Sequence, residues 1–130
     1  MKGKYTVIKI QPFDEPVNIV VNETIKKGVK YANKYHSHKK KMTFHDYKNT
    51  DGLHYETPDN HRFIFLNYTS SVHTVVHECF HAVMKTAKSR GAKHCNKSEE
   101  FYAYSLGEFT QKVMDFFYGI KQVKEHNINE

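Results

Sequence analysis

In the stretch TVVHECFHAVM, Thr74 to Met84, two histidines stand four positions apart and a glutamate directly follows the first. Four positions are about one turn of an α-helix, so the imidazoles of His77 and His81 leave the same face. Zinc bonds imidazole nitrogen at about 2.0–2.1 Å, and two rings one turn apart can reach a single ion. Glu78 lies about 100° around the helix from His77, beside such an ion rather than on it. A carboxylate there can accept a proton from zinc-bound water, whose pKa the cation lowers toward neutrality. With ten His and nine Glu in 130 residues, His-Glu-x-x-His is expected about 0.05 times in a shuffled chain. The setting adds weight. Val75, Val76, Cys79, Phe80, Ala82 and Val83 are uncharged, as expected of a buried helix around a metal.

A catalytic zinc site needs a third protein ligand and one open position. The next acidic residues after His81 are Glu99 and Glu100. Glu100 shares a helical face with Ala103, Tyr104 and Gly107, and small residues there would let two helices approach until its carboxylate reaches the ion. Glu99 is spaced from Asn96 as in a capping box. Glu100 is therefore the expected third ligand, with Glu99 the alternative. Tyr104, one turn further, suits either donation to a developing oxyanion or packing. His73, one turn before His77, reads as a residue of the cleft rim. His94 and Cys95 have ligand chemistry but no second pair at zinc-finger spacing.

The elements that position these residues can be read outward from the motif. Ser70 or Ser71 can cap the His77 helix, Lys88 and Arg90 fall in its last turn, and Gly91 is placed to end it. Asn96 and Glu99 open a last helix that carries Tyr102, Leu106, Phe109, Val113, Phe116, Phe117 and Ile120 at apolar positions. Upstream, KYTVIKI (4–10) alternates as a strand. Asp14 and Pro16 mark a helix start, followed by Val17, Val20, Val21, Ile25, Val29, Ala32 and Tyr35 at helical spacing. Residues 43–67 read as β: TFHDY, a turn at KNTDG, LHYET, a turn at PDN, then RFIFLN, with Asp51-Gly52 a hairpin signal. The order is that of a single α+β domain.

Net charge is +6 with a pI of about 9.2. The one dense basic cluster, HSHKKKM at 36–42, lacks interleaved aromatics, so nucleic acid is the less favoured partner. The longest apolar runs, IVV and FIFL, are too short to cross a bilayer, and no membrane partner is expected. MKGKYTVIKI has no apolar signal region, so a cytoplasmic chain is expected. Two cysteines, Cys79 and Cys95, do not make a disulfide scaffold.

HECFH, followed by eighteen residues and Glu100, resembles the HExxH-x18-E arrangement of gluzincin metallopeptidases, the thermolysin and aminopeptidase type. HECFHAVM with EEFYAYSLGEF is also similar to small zincin-like proteins often encoded by tailed bacteriophages. The likeness covers about residues 63–110. It implies a minimal zincin-like domain, with a small antiparallel or mixed sheet packed against the HExxH helix and a C-terminal helix carrying the glutamate ligand. It further implies one Zn²⁺ on His77, His81 and Glu100, Glu78 as general base, and RFIFLN as the strand beside the cleft. The substrate would be a protein or peptide, met in the host cytoplasm if the chain is phage-encoded. The alternative function is a zinc-binding, non-catalytic phage protein that grips a host protein. The chain departs from its likenesses in places. Met84 stands where metzincins have glycine, and no Gly-x-Met-x-Asn element of the aminopeptidases is present, so exopeptidase action is not expected. Tyr104 occupies the place of an aspartate that orients a histidine in thermolysin-like enzymes.

Overall fold

A computed structural model describes residues 4–35, 42, 51–91 and 99–129. Four strands and three helices follow in the order β1 (Lys4–Ile10), β2 (Glu15–Asn22), α1 (Ile25–Tyr35), β3 (Gly52–Glu56), β4 (Arg62–Asn67), α2 (Val72–Ser89) and α3 (Glu99–Asn129). The strands form one sheet in the order β1-β2-β4-β3. β1 and β2 are antiparallel, β2 and β4 parallel, and β3 and β4 antiparallel. The fold is α+β with a mixed sheet.

The helix expected from Asp14 onward is a strand as far as Asn22. Val17, Val20 and Val21 satisfy a helical spacing, but they belong to a β-branched run, PVNIVV, that a central strand accommodates better. β2 is buried on both faces over residues 17–22, which removes the polar alternation that would have marked it. The helix begins only at Ile25, where the Lys27 amide donates to Thr24 Oγ1 at 3.1 Å.

The sheet separates two apolar layers. On one face Ile19, Val21, Ile64 and Leu66 pack with Val75, Cys79, Ala82 and Val83 of α2 and Phe109, Val113 and Phe117 of α3. On the other, Val20, Phe63 and Phe65 pack with Ile25, Val29 and Ala32 of α1. Neighbouring residues of one strand thus serve opposite layers, as the pleat requires. Asn18, buried in β2, is satisfied by Tyr5 Oη donating at 2.7 Å and by donating to the Arg62 carbonyl at 2.9 Å.

The expected hairpin between LHYET and RFIFLN is present, with His54 opposite Ile64. RFIFLN, expected as the strand beside the cleft, is an interior strand, and it is β3 that meets Thr74 and Glu78 of α2. β4 (RFIFLN) lies between two neighbours and is almost wholly buried, while β3 lies at the sheet edge among the described residues. The residue classes explain it: an apolar run with no alternation suits an interior strand. The expected strand TFHDY, most of the KNTDG turn and the HSHKKK cluster lie outside the described residues. So do His94, Cys95 and the proposed cap Asn96.

Candidate metal centre

α2 starts as the sequence requires. Ser71 is its N-cap and accepts from the Thr74 amide at 3.1 Å, and Gly91 follows its end in the left-handed region at φ 76°. Its buried face is Val75, Glu78, Cys79, Ala82, Val83, Thr86 and Ala87. The opposite face carries His73, His77 and His81, all exposed. The expectation that the uncharged residues around the motif are all buried is corrected here. Val72, Val76 and Phe80 are 49%, 40% and 47% exposed and form an apolar row beside the histidines. They recur every fourth residue along a flank of α2 that is about half exposed among the described residues.

His77 and His81 meet. Their Nε2 atoms are 3.1 Å apart, with ring centroids at 4.6 Å and planes at 82°. Two nitrogens each at 2.0–2.1 Å from one tetrahedral zinc would stand about 3.3 Å apart. The pair therefore fits a divalent ion with little side-chain movement. The same distance also suits an N–H···N hydrogen bond between the two rings. His73 is further off, its centroid 6.3 Å from that of His77.

Glu78 turns inward toward β3 and is only 8% exposed. Gly52 makes room for it: a Cβ at that position would lie 2.5 Å from Thr74 Cγ2 and 3.2 Å from Glu78 Cγ. Asp51 fastens the same junction. Thr74 Oγ1 donates to its Oδ2 at 3.0 Å, Asn67 Nδ2 donates to its Oδ1 at 3.2 Å, and Ser70 Oγ donates to its carbonyl. Burial raises the pKa of Glu78, while the imidazoles of His77 and His81 and the His54 backbone amide hold it back. A carboxyl group tuned upward in this way is a better proton acceptor than an exposed one.

Three residues that bear on the site, Asp51, Gly52 and His54, were not marked for it in the sequence. Asp51-Gly52 reads there as a turn signal, and His54 as one position of the β segment LHYET. Only the pairing of β3 with α2 gives them a role. His54 is pushed down to about 4, first by burial and then by the charges of Arg62, Lys85 and His81. It is thus neutral at pH 7, and its Nε2 is buried without a hydrogen-bond partner among the described residues.

α3 does not bring Glu100 to the histidines. The helix opens beside the β1–β2 turn, where Phe101 packs edge-on against Phe13 at 5.6 Å and Ser105 Oγ donates to the Gln11 carbonyl at 2.9 Å. α2 ends at that same turn, with Arg90 bonded to Glu15 at 2.6 Å. His81 is nine residues earlier, about 13 Å back along the helix. Glu99 and Glu100 are both exposed at this remote end. Tyr104 is 67% exposed and its hydroxyl is engaged by Glu108, which also binds Lys112 at 3.0 Å. Among the described residues no three His, Cys, Asp or Glu side chains stand together as a metal site. Cys79 lies on the buried face, its thiol pushed up to about 12 by burial.

No family model, curated protein or solved structure matches the chain.

Proposed function

We propose that the protein is a zinc-dependent hydrolase of peptide bonds, with His77 and His81 holding the ion and Glu78 as the general base. The observation that carries this is the pair of Nε2 atoms 3.1 Å apart with a buried carboxylate one residue from the first. A zinc ion bound there would supply Lewis acidity and a water of lowered pKa. Glu78 would take the proton from the attacking water and deliver it to the leaving amine. Its burial keeps it basic enough for the first step and lets it be neutral in between. Exposure of both imidazoles leaves the pair open to a substrate approaching from solvent. Glu100 as third ligand and Tyr104 as oxyanion donor come to this reading through the resemblance alone, and for Glu100 against its placement away from the histidine pair. Glu100→Gln tests the first by zinc affinity, and Tyr104→Phe the second by turnover at unchanged affinity.

The test of the main reading is a zinc titration of the metal-free chain, followed by hydrolysis of a peptide library. One equivalent should bind. Glu78→Gln should retain it and lose at least about 100-fold in hydrolysis. Equal cleavage by Glu78→Gln would sink the assignment of the base. One observation favours the second reading, a zinc-bound module that grips a protein without turnover: Val72, Val76 and Phe80 offer an apolar row beside the pair. Stoichiometric zinc with no cleavage of any library member would select it. No helix among the described residues is long and apolar enough to cross a membrane.

A further inference from the structure

At the end of α2 remote from the histidines, a cavity of about 370 Å³ is lined by Glu15, Glu56, Asn60, Arg62, Ser89 and Arg90. Its volume falls within the roughly 300–1,000 Å³ of small-molecule sites. Arg62, at the start of β4, is only 3% exposed. A guanidinium so buried normally saturates its donors at about 2.9–3.0 Å. Arg62 does not. Its Nε donates to Glu15 Oε1 at 3.4 Å and its Nη2 to Ser89 Oγ at 3.5 Å. Its Nη1 faces Glu56 Oε2 at 3.6 Å and has no hydrogen-bond partner among the described residues. Glu15 is drawn away by Arg90, which it binds at 2.6 Å. The lining therefore holds spare donor capacity at Arg62 and spare acceptor capacity at Glu56, side by side.

That combination selects a class of ligand. A simple anion would have to sit beside two carboxylates, and a simple cation beside two guanidiniums. A molecule with both signs of charge on adjacent atoms satisfies both. We propose that this cavity binds a small zwitterion of the α-amino-acid class, its carboxylate held by Arg62 and Arg90 and its ammonium by Glu56. Asn60 and Ser89 line the same space and supply an amide and a hydroxyl. The site is independent of any metal at His77 and His81.

The test is a nuclear magnetic resonance titration of the full chain, labelled with ¹⁵N, reading the backbone amides of Asn60, Ser89 and Arg90. The probes are the twenty L-amino acids singly, then acetate, methylammonium and inorganic phosphate. At least one amino acid should give saturable shifts at these amides, with acetate and methylammonium at least tenfold weaker. Arg90→Gln and Glu56→Gln, whose side chains are partly exposed, should each weaken binding at least tenfold while the rest of the spectrum keeps its native dispersion. Arg62, being buried, is left intact. Saturable binding of phosphate or acetate as tight as that of any amino acid would overturn the proposal in favour of a plain anion site. Absence of saturable shifts from all twenty, or undiminished binding by both variants, would overturn it outright.

Discussion

Replacing Gly52 by alanine tests whether the close approach of β3 and α2 seats Glu78. The added methyl would meet Thr74 Cγ2 at 2.5 Å and Glu78 Cγ at 3.2 Å, against a relaxed carbon–carbon separation of about 3.5–4.0 Å. Something must retreat by about 1 Å. Thr74 cannot simply rotate, because its hydroxyl donates to Asp51 at 3.0 Å and accepts from Ser71 Oγ at 3.1 Å. Overpacking of this kind costs about 1–3 kcal/mol. At an unstrained position the glycine-to-alanine change would instead stabilise by about 0.4–1 kcal/mol through the unfolded chain. The net expectation is a loss of about 1–2 kcal/mol, read by urea denaturation of the metal-free chain at constant m-value. Thr74→Ser keeps the hydroxyl and removes Cγ2, so the double variant should recover at least half of that loss, a coupling of about 1 kcal/mol. The control is Gly107→Ala in α3, where a Cβ meets nothing within 4 Å and the helix should gain up to about 1 kcal/mol. Gly52→Ala as stable as the parent, or equally destabilised with and without Thr74→Ser, would refute the argument.

His77→Ala and His81→Ala should each abolish stoichiometric zinc in elemental analysis of the purified chain, because each leaves one of two converging nitrogens. His54 predicts a pH dependence. Its folded pKa of about 4 lies below its ordinary 6.5, so the unfolded chain binds the extra proton. Its contribution is fully present above about pH 6.5 and is lost as pH falls toward 4, by at most about 3 kcal/mol at 1.36 kcal/mol per unit. In metal-free protein, His54→Gln should flatten the acid limb of stability measured by urea denaturation between pH 7 and 4.5, and an unaltered slope would contradict this. Glu78→Gln should leave zinc stoichiometry at one while hydrolysis disappears, as measured on the same preparation.

The parts of the fold that local chemistry determines were legible. Ser71, Gly91 and the apolar positions of α2 and α3 place both helices, and the alternation of 4–10 and the turn signals around 58–60 place β1 and the β3–β4 hairpin. β2 was not legible, because a strand covered on both faces loses its period of two and its valines also fit a period near 3.6. The histidine pair was legible because four residues of one helix set it. The environment of Glu78 was not, since its burial depends on β3 arriving across fifteen or more residues of chain and on Gly52 lacking a side chain. Glu100 was placed from small residues on its own face, but the end of the sheet that α3 docks on, through Phe13 and Gln11, is set by tertiary contacts no local pattern shows.

Cys79 turns the helix that bears the histidines into its own reporter. A sulfur wholly shielded, with its proton held to about pH 12, reacts with an alkylating reagent only when α2 lifts from the sheet. In a Cys95→Ser background the labelling rate at Cys79 therefore clocks that lifting, and whatever clamps His77 to His81 should slow the clock.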